Sequence, residues 1–454
     1  MLYDLIVIGG GPAGYLACER TGHAGLNTLL IEKEHIGGVC LNKGCIPTKT
    51  LLYSAKLADG AANGKKYGVI AGDIKIDHKA VVKRKNKVVK KLTSGVRAAV
   101  KANGVTIIDA MGYINGKVSE GYEVKAGDDT FVGKRLLIAT GSLPAVPPIP
   151  GLKEAMAASL VLTSKEMLDI EEVPQNLVVI GGGVIGLEMA SYFNSAGSNV
   201  NVVEMLDSIG GAIESDIASI LQKNYEKKGV NFNLGCKVSE ITKDAVVYEE
   251  NGEVKSIKAD KVLLSIGRRA NTKDLGLENI GVELDRGAVV VDEKCKTNIP
   301  QVYAAGDVNG KSMLAHTAYR EAEVAVNNML AKKDIMRYEA VPGVIYTNPE
   351  IAGVGETEAT AKEKGYDVTT KSVTMNYSGR YMAENEGGDG IIKIVVDNKY
   401  NKLLGVHIIG NYASEIIVSA GIMIEKEMTI DEIKEIVFPH PTVSEVIREA
   451  IFQL

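Results

Sequence analysis

Two copies of one short pattern, 172 residues apart, constrain this 454-residue chain more than any other feature. In the first, the apolar run Leu5–Ile8 leads into Gly9, Gly11 and Gly14, and a second apolar run, Thr28–Ile31, ends on Glu32. In the second, Leu177–Ile180 leads into Gly181, Gly183 and Gly186, and Val200–Val203 ends on Glu204. Each copy predicts strand, tight turn, helix and strand. The first glycine makes the turn, the second lets a pyrophosphate approach the backbone, and the third lets the helix pack closely on the strand. The helix start supplies amide donors and a partial positive charge. The glutamate at the end of the next strand accepts from a ribose hydroxyl. One such fingerprint is weak evidence. Two, each with strand, helix and acid in register, predict two dinucleotide sites on Rossmann-like α/β domains.

About twenty residues beyond the first loop comes GGVCLNKGCIPTK, which holds Cys40 and Cys45. A regular helix would set residues i and i+5 about 8–9 Å apart, beyond the ~7 Å that a disulfide tolerates. A bridge therefore needs a locally distorted helix or a loop, and Gly44 beside Cys45 relaxes the backbone there. A small strained disulfide is easily reduced, and beside a flavin it could pass an electron pair. Zinc lacks a second ligand pair at suitable spacing. A purely structural disulfide is the bland alternative, disfavoured in a cytosolic chain. The dithiol follows the first loop, so FAD belongs there and NAD at the second. Glu204 would repel a 2′-phosphate, and no Lys or Arg lies between Met205 and Gly211 to offset it. NADH is expected over NADPH.

The composition excludes several other classes. A net charge of −5 gives no support to nucleic-acid binding. No apolar stretch is long enough to suggest a membrane span, and the opening MLYDLIVIGGG has no signal-peptide pattern. A cytoplasmic protein without metal is expected. Cys18, Cys236 and Cys295 read as reduced packing residues. His407 lies in an alternating strand and reads as structural; His23, His35 and His78 read as surface residues. The run Lys83–Lys101 carries apolar residues at helical spacing. It predicts a packed helix with a solvated basic face.

Near the end, His440 precedes Pro441 and so cannot sit inside a regular helix. Thiol–disulfide exchange needs a thiolate, and histidine titrates in the range where it can serve as the base. Thr442 reads as a helix N-cap with Glu445 as its box partner. Glu445 can instead hold His440 in the productive tautomer, as the carboxylate of an acid–base triad does.

These features together resemble the pyridine nucleotide–disulfide oxidoreductases, and within them the branch that oxidises dihydrolipoamide. The match runs essentially from Leu2 to the C-terminus. GGVCLNKGCIPTK is similar to the family's redox-disulfide motif. LLIATGSLP, with Gly141, looks like the exit from the flavin domain. TNIPQVYAAGDVNG looks like the second flavin motif, and PHPTVSE like the C-terminal catalytic motif. The resemblance implies that Cys45 is the thiol nearest the flavin and that Cys40 exchanges with substrate. It places Lys49 at the flavin, paired with Glu188 beneath the nicotinamide. It gives Asp307 the ribityl chain, Ala315 a backbone amide at the flavin carbonyl edge, and Gly267 a place at the NAD side. It also implies a cis bond before Pro441.

The implied fold is two Rossmann-like dinucleotide-binding domains, one inserted in the other, followed by a C-terminal α+β dimerisation domain. The expected boundaries are 1–142 and 271–338 for FAD, 143–270 for NAD and 339–454 for the interface. A homodimer would follow, with His440 reaching the disulfide of the other subunit. The partner would be a lipoyl-bearing protein of a 2-oxo acid dehydrogenase or glycine cleavage system. The alternatives are an NAD(P)H-dependent reductase of another small disulfide and a non-catalytic FAD-holding subunit of a complex.

Overall fold

The computed structural model describes residues 2–454. The chain divides into two compact units, one made of 1–50, 82–145 and 267–337, the other of 51–81, 146–266 and 338–454. The first unit is built on a five-stranded parallel sheet. Its strand order is Val302–Ala304, Leu136–Ile138, Leu5–Ile8, Thr28–Glu32, Thr106–Asp109. Leu5–Ile8 is buried on both faces, as its unbroken apolar run requires. The helix Pro12–His23 makes the crossover to Thr28–Glu32 and packs on the helix Ala315–Met329. A second sheet adds the antiparallel meander Gly112–Val118, Gly121–Ala126, Asp129–Gly133. Ile6, Ile8, Leu136 and Ile138 share one core with Ile114, Tyr122 and Val124 of that meander.

The second unit repeats the device. Its parallel sheet runs Val161–Thr163, Lys261–Leu264, Asn176–Ile180, Asn199–Val203, Asn231–Asn233. The strand that precedes the glycine loop is again central, and the strand that ends on the glutamate is again beside it. This is the geometry in which strand ends open a crevice for a dinucleotide. The same unit holds a five-stranded antiparallel sheet formed by Gly343–Ile345, Glu350–Gly355, Lys402–Gly410, Ile391–Asp397 and Val368–Thr374. The helices Ala413–Glu425 and Glu445–Ile451 share its core.

A buried ion cluster ties that sheet to the helix Ser215–Lys227. Lys393 Nζ lies 2.9 Å from Glu214 and 3.0 Å from Glu358, and the other Glu214 oxygen accepts the Glu358 N–H at 2.7 Å. Burial pulls the Lys393 ammonium down, but its carboxylates outweigh this and hold it above its ordinary range. No helix among the described residues is long and apolar enough to cross a membrane.

Candidate active site

The two glycine loops repeat in atomic detail. Gly9 and Gly181 sit at φ 104° and 102°, a region that favours glycine. A Cβ on Gly14 would lie 1.8 Å from the Gly9 oxygen, and one on Gly186 2.0 Å from the Gly181 oxygen. Helix and turn therefore touch through bare backbone. Gly11 and Gly183 cap their helices in extended conformation without a side-chain cap, and neither helix has an acid in its first turn. A Cβ on Gly183 would meet nothing within 4 Å, and one on Gly11 only the Gly38 Cα at 3.8 Å. Both helix starts are thus open to an anion, which fits a pyrophosphate.

The glutamates also correspond. Glu32 accepts the Gly10 N–H and the Glu34 N–H, both at 2.6 Å. Glu204 accepts the Gly182 N–H at 2.6 Å and the Leu206 N–H at 2.8 Å. Each carboxylate ties its own strand end to its own glycine loop, a duty that the sequence reading did not foresee.

The cysteine segment is a broken helix. One stretch runs Gly38–Lys43, Gly44 leaves helical geometry at φ −148° and ψ −111°, and a second helix starts at Cys45 and runs to Ala62. The break brings the Cys40 and Cys45 thiols into hydrogen-bond contact. A Cβ at residue 44 would stand 3.0 Å from the Val39 carbonyl, so glycine suits the tight break. The Cys45 hydrogen bond and burial push the Cys40 thiol up, and the Lys49 charge opposes them. Lys49 lies one turn beyond Cys45 on the same helix. Tyr15 and Tyr319 hydrogen-bond through their phenols, with rings edge to face at 5.9 Å. Both phenols are pushed up chiefly by burial, with the Cys40 sulfur contributing.

Asp307 opens a short helical turn, Asp307–Asn309. It accepts a hydrogen bond from the Ser142 hydroxyl. That hydroxyl in turn accepts from Arg268 Nε at 2.7 Å, and a second Arg268 nitrogen donates to the Ser142 carbonyl at 2.7 Å. Arg268 also lies 4.0 Å from Asp307. Burial lowers its pKa, opposed by the charges of Asp307 and Cys45. Sequence reasoning missed this cation, because its partner Ser142 lies 126 residues away in the chain. The antiparallel pairing of Arg268–Ala270 with Ser142–Pro144 brings them together.

The fully buried Glu321 accepts the Gly306 N–H at 2.6 Å and the Asn309 amide at 2.9 Å, fixing the turn that presents Asp307. The helix Ala315–Met329 starts at Ala315 without a side-chain cap. Gly141 and Gly267 have φ 69° and 113°, with open space where a side chain would be.

In the other unit, His440 Nδ1 meets Glu445 Oε1 at 2.8 Å, and Glu445 Oε2 accepts the Thr442 N–H at 2.8 Å. One Glu445 oxygen thus holds the His440 ring and the other the backbone at Thr442. Burial pulls its carboxyl up, but the Thr442 N–H and His440 outweigh burial and hold it below its ordinary range. His440 is 78% exposed at its side chain, so its other face is open. The His440–Pro441 bond is cis.

Thr442 is not the N-cap. The helix starts at Glu445 after Ser444, and the Thr442 hydroxyl donates to the Pro439 carbonyl at 2.7 Å. Glu188, 3% exposed on the helix Val184–Ser195, accepts the Tyr346 N–H at 3.0 Å. His78 is not a surface residue. It is buried, bonded to the Tyr192 hydroxyl at 2.7 Å and the Ile170 carbonyl at 3.0 Å. His407 is buried and bonded to the Glu356 carbonyl.

Comparison with known proteins places these features in context. The family model described as pyridine nucleotide-disulphide oxidoreductase matches residues 3–322, and that family's dimerisation domain matches residues 341–451. A dihydrolipoyl dehydrogenase of Mycoplasma genitalium is 38% identical over 460 residues, covering 100% of this chain and 99% of that protein. One from Geobacillus stearothermophilus is 38% identical, covering 98% and 95%. The crystal structure of LpdA from Mycobacterium tuberculosis superposes with a TM-score of 0.89 at 25% identity, covering 99% of each chain.

Proposed function

The chain belongs to the pyridine nucleotide-disulphide oxidoreductase family, and on that premise we propose that it oxidises protein-bound dihydrolipoamide with NAD, using FAD and a Cys40–Cys45 redox pair. One observation carries the reading. The helix break at Gly44 puts the two thiols in contact, in the same unit as the first glycine loop. FAD, when bound, supplies two-electron transfer between the reduced cysteine pair and NAD.

The chain's residues have the following tasks. Gly9, Gly11, Gly14 and the helix start behind them hold the flavin nucleotide's pyrophosphate. Gly181, Gly183 and Gly186 would do the same for NAD, and Glu32 and Glu204 would accept from the two riboses. Lys49, Asp307, Gly141 and the Ala315 amide would hold the flavin, and Glu188 and Gly267 would serve the nicotinamide nucleotide.

The oxidised pair accepts the substrate. His440 takes a proton from one substrate thiol, and the resulting thiolate attacks Cys40. The S–S bond breaks and Cys45 leaves as a thiolate stabilised by Lys49. The second substrate thiol then releases its proton to solvent and attacks the bound sulfur, Cys40 leaves with the proton carried by His440, and the cyclic disulfide product closes. Two thiols are oxidised, two cysteines are reduced, and the pair is re-oxidised as NAD becomes NADH. Glu445 holds the His440 ring by Nδ1, leaving Nε2 to move the proton.

The dimerisation domain supports a homodimer, in which His440 serves the disulfide of the other subunit. A demonstrably monomeric preparation with full turnover would remove that step. The protein works in the cytoplasm, serving a lipoyl-bearing protein of a 2-oxo acid dehydrogenase or glycine cleavage system. The test is a steady-state assay of dihydrolipoamide against reduced glutathione, each with NAD and NADP. Turnover of dihydrolipoamide with NAD supports the reading; activity only with glutathione or only with NADP overturns it.

A further inference from the structure

The helix His78–Ala102 carries nine lysines and arginines and no aspartate or glutamate. The rest of the chain holds 43 basic and 57 acidic groups, a balance of −14. The helix buries Lys85 and Val100, and half-buries Val88, Val89 and Val96. On the opposite side, Lys83, Lys87, Lys90, Lys91 and Lys101 fall within about 100° of arc at 3.6 residues per turn. All five are exposed. The stripe is about 27 Å long at 1.5 Å per residue. The small exposed residues Ser94 and Ala98 leave its middle unobstructed.

Arg97 is neutralised by Asp109 through two bonds of 3.0 and 2.6 Å. None of the five stripe lysines makes an ion pair among the described residues. Like charges three and four positions apart repel one another, so an acidic surface laid on the stripe would relieve its own helix. The helix that carries the stripe touches the helix that carries Cys45. Arg84 donates to the Thr50 carbonyl at 3.3 Å, and Thr50 lies only about 7.5 Å along the helix axis from Cys45.

We propose that this lysine stripe docks an acidic protein domain that presents the dithiol to Cys40. The inference rests on the function proposed above and names the surface by which the carrier is held. A nucleic acid fits less well. The stripe has no aromatic side chain for base stacking, and the chain as a whole is net negative at −5. A membrane fits less well because Leu92 is the helix's only large exposed apolar residue. A compact acidic domain can cover one stripe of this length.

The test compares two substrates on the FAD-loaded enzyme: free dihydrolipoamide, and a reduced lipoyl domain of net negative charge. In the quadruple variant K83E/K87E/K90E/K91E, kcat/KM for the carrier domain falls about tenfold or more, through association. Turnover of free dihydrolipoamide stays within about twofold, because no catalytic group is touched. Added salt lowers the wild-type carrier rate and leaves the variant's nearly flat. A quadruple glutamine variant gives an intermediate loss, which separates charge from a folding defect.

Unchanged carrier kinetics in both variants would overturn the proposal. So would equal losses for the two substrates in variants that retain full flavin. Wild-type enzyme inert toward free dihydrolipoamide would instead strike at the proposed function itself.

Discussion

Alanine at Gly14 and at Gly186 should separate the two nucleotide sites. The new Cβ at residue 14 would stand 1.8 Å from the Gly9 oxygen. At residue 186 it would stand 2.0 Å from the Gly181 oxygen and 2.9 Å from Ser265 Oγ. Real Cβ atoms essentially never come closer than 3.0 Å, and the obstacle in each case is a turn's backbone oxygen. Each helix start must therefore retreat by about 1 Å, an overpacking that itself costs about 1–3 kcal/mol. An amide-to-phosphate bond of about 2.9 Å then stretches to about 3.9 Å and ceases to be a hydrogen bond. Bonds to a charged group are worth about 1.5–3 kcal/mol each, so losing two weakens binding by about 3–6 kcal/mol. That is about 10²–10⁴ in affinity.

Gly186→Ala should keep its flavin and lose NAD affinity by at least about a hundredfold. Gly14→Ala should emerge with little flavin. Flavin absorbance per protein and a fluorescence titration with NADH read the two effects. Unchanged NADH affinity in Gly186→Ala would refute the steric reasoning. Loss of flavin in Gly186→Ala and its retention in Gly14→Ala would show that the two cofactors had been assigned to the wrong loops.

Cys45→Ser should abolish dihydrolipoamide turnover while the flavin remains bound, as flavin content and initial rates will tell. Glu445→Gln should cut turnover by about a hundredfold or more through loss of the carboxylate that orients His440, with flavin content unchanged. The wild-type Glu445 carboxyl sits below its ordinary range, so its ionised form is favoured by the fold. The His440–Glu445 bond should therefore persist as pH falls through about 4.3 and fail only below it, which NMR of the His440 ring can follow. Glu204→Ala should weaken NAD binding and narrow the preference over NADP, and it should also loosen the loop that Glu204 ties at Gly182. Lys393→Met should lower stability by about 3–5 kcal/mol, because it leaves Glu214 buried without its cation. Thermal unfolding measures that loss.

The parts legible in the sequence are those set by local spacing. The two loops were read from the glycines and the terminal glutamates, and the structure repeats them down to the amides that each carboxylate accepts. A distorted helix or a loop between Cys40 and Cys45 followed from the reach of a disulfide and the position of Gly44, and the structure makes it a break between two helices. The parts that were not legible depend on residues far apart in sequence. Arg268 meets Ser142 across 126 residues, and His78 meets Tyr192 across 114. Nothing in the local pattern around His78 signals the buried hydroxyl that satisfies it. Thr442 misled because its spacing to Glu445 matches a capping box. The Thr442 hydroxyl instead turns back to the Pro439 carbonyl, and the helix begins three residues later.

The sulfur-to-sulfur step can be watched directly. Isolated flavin-loaded protein, denatured and alkylated anaerobically, should leave Cys40 and Cys45 unmodified by peptide mass mapping, because they form a disulfide. One equivalent of dihydrolipoamide without NAD should make both alkylatable, and subsequent NAD should protect them again. Cysteines that alkylate equally at all three stages, or that NAD fails to protect, would contradict the account.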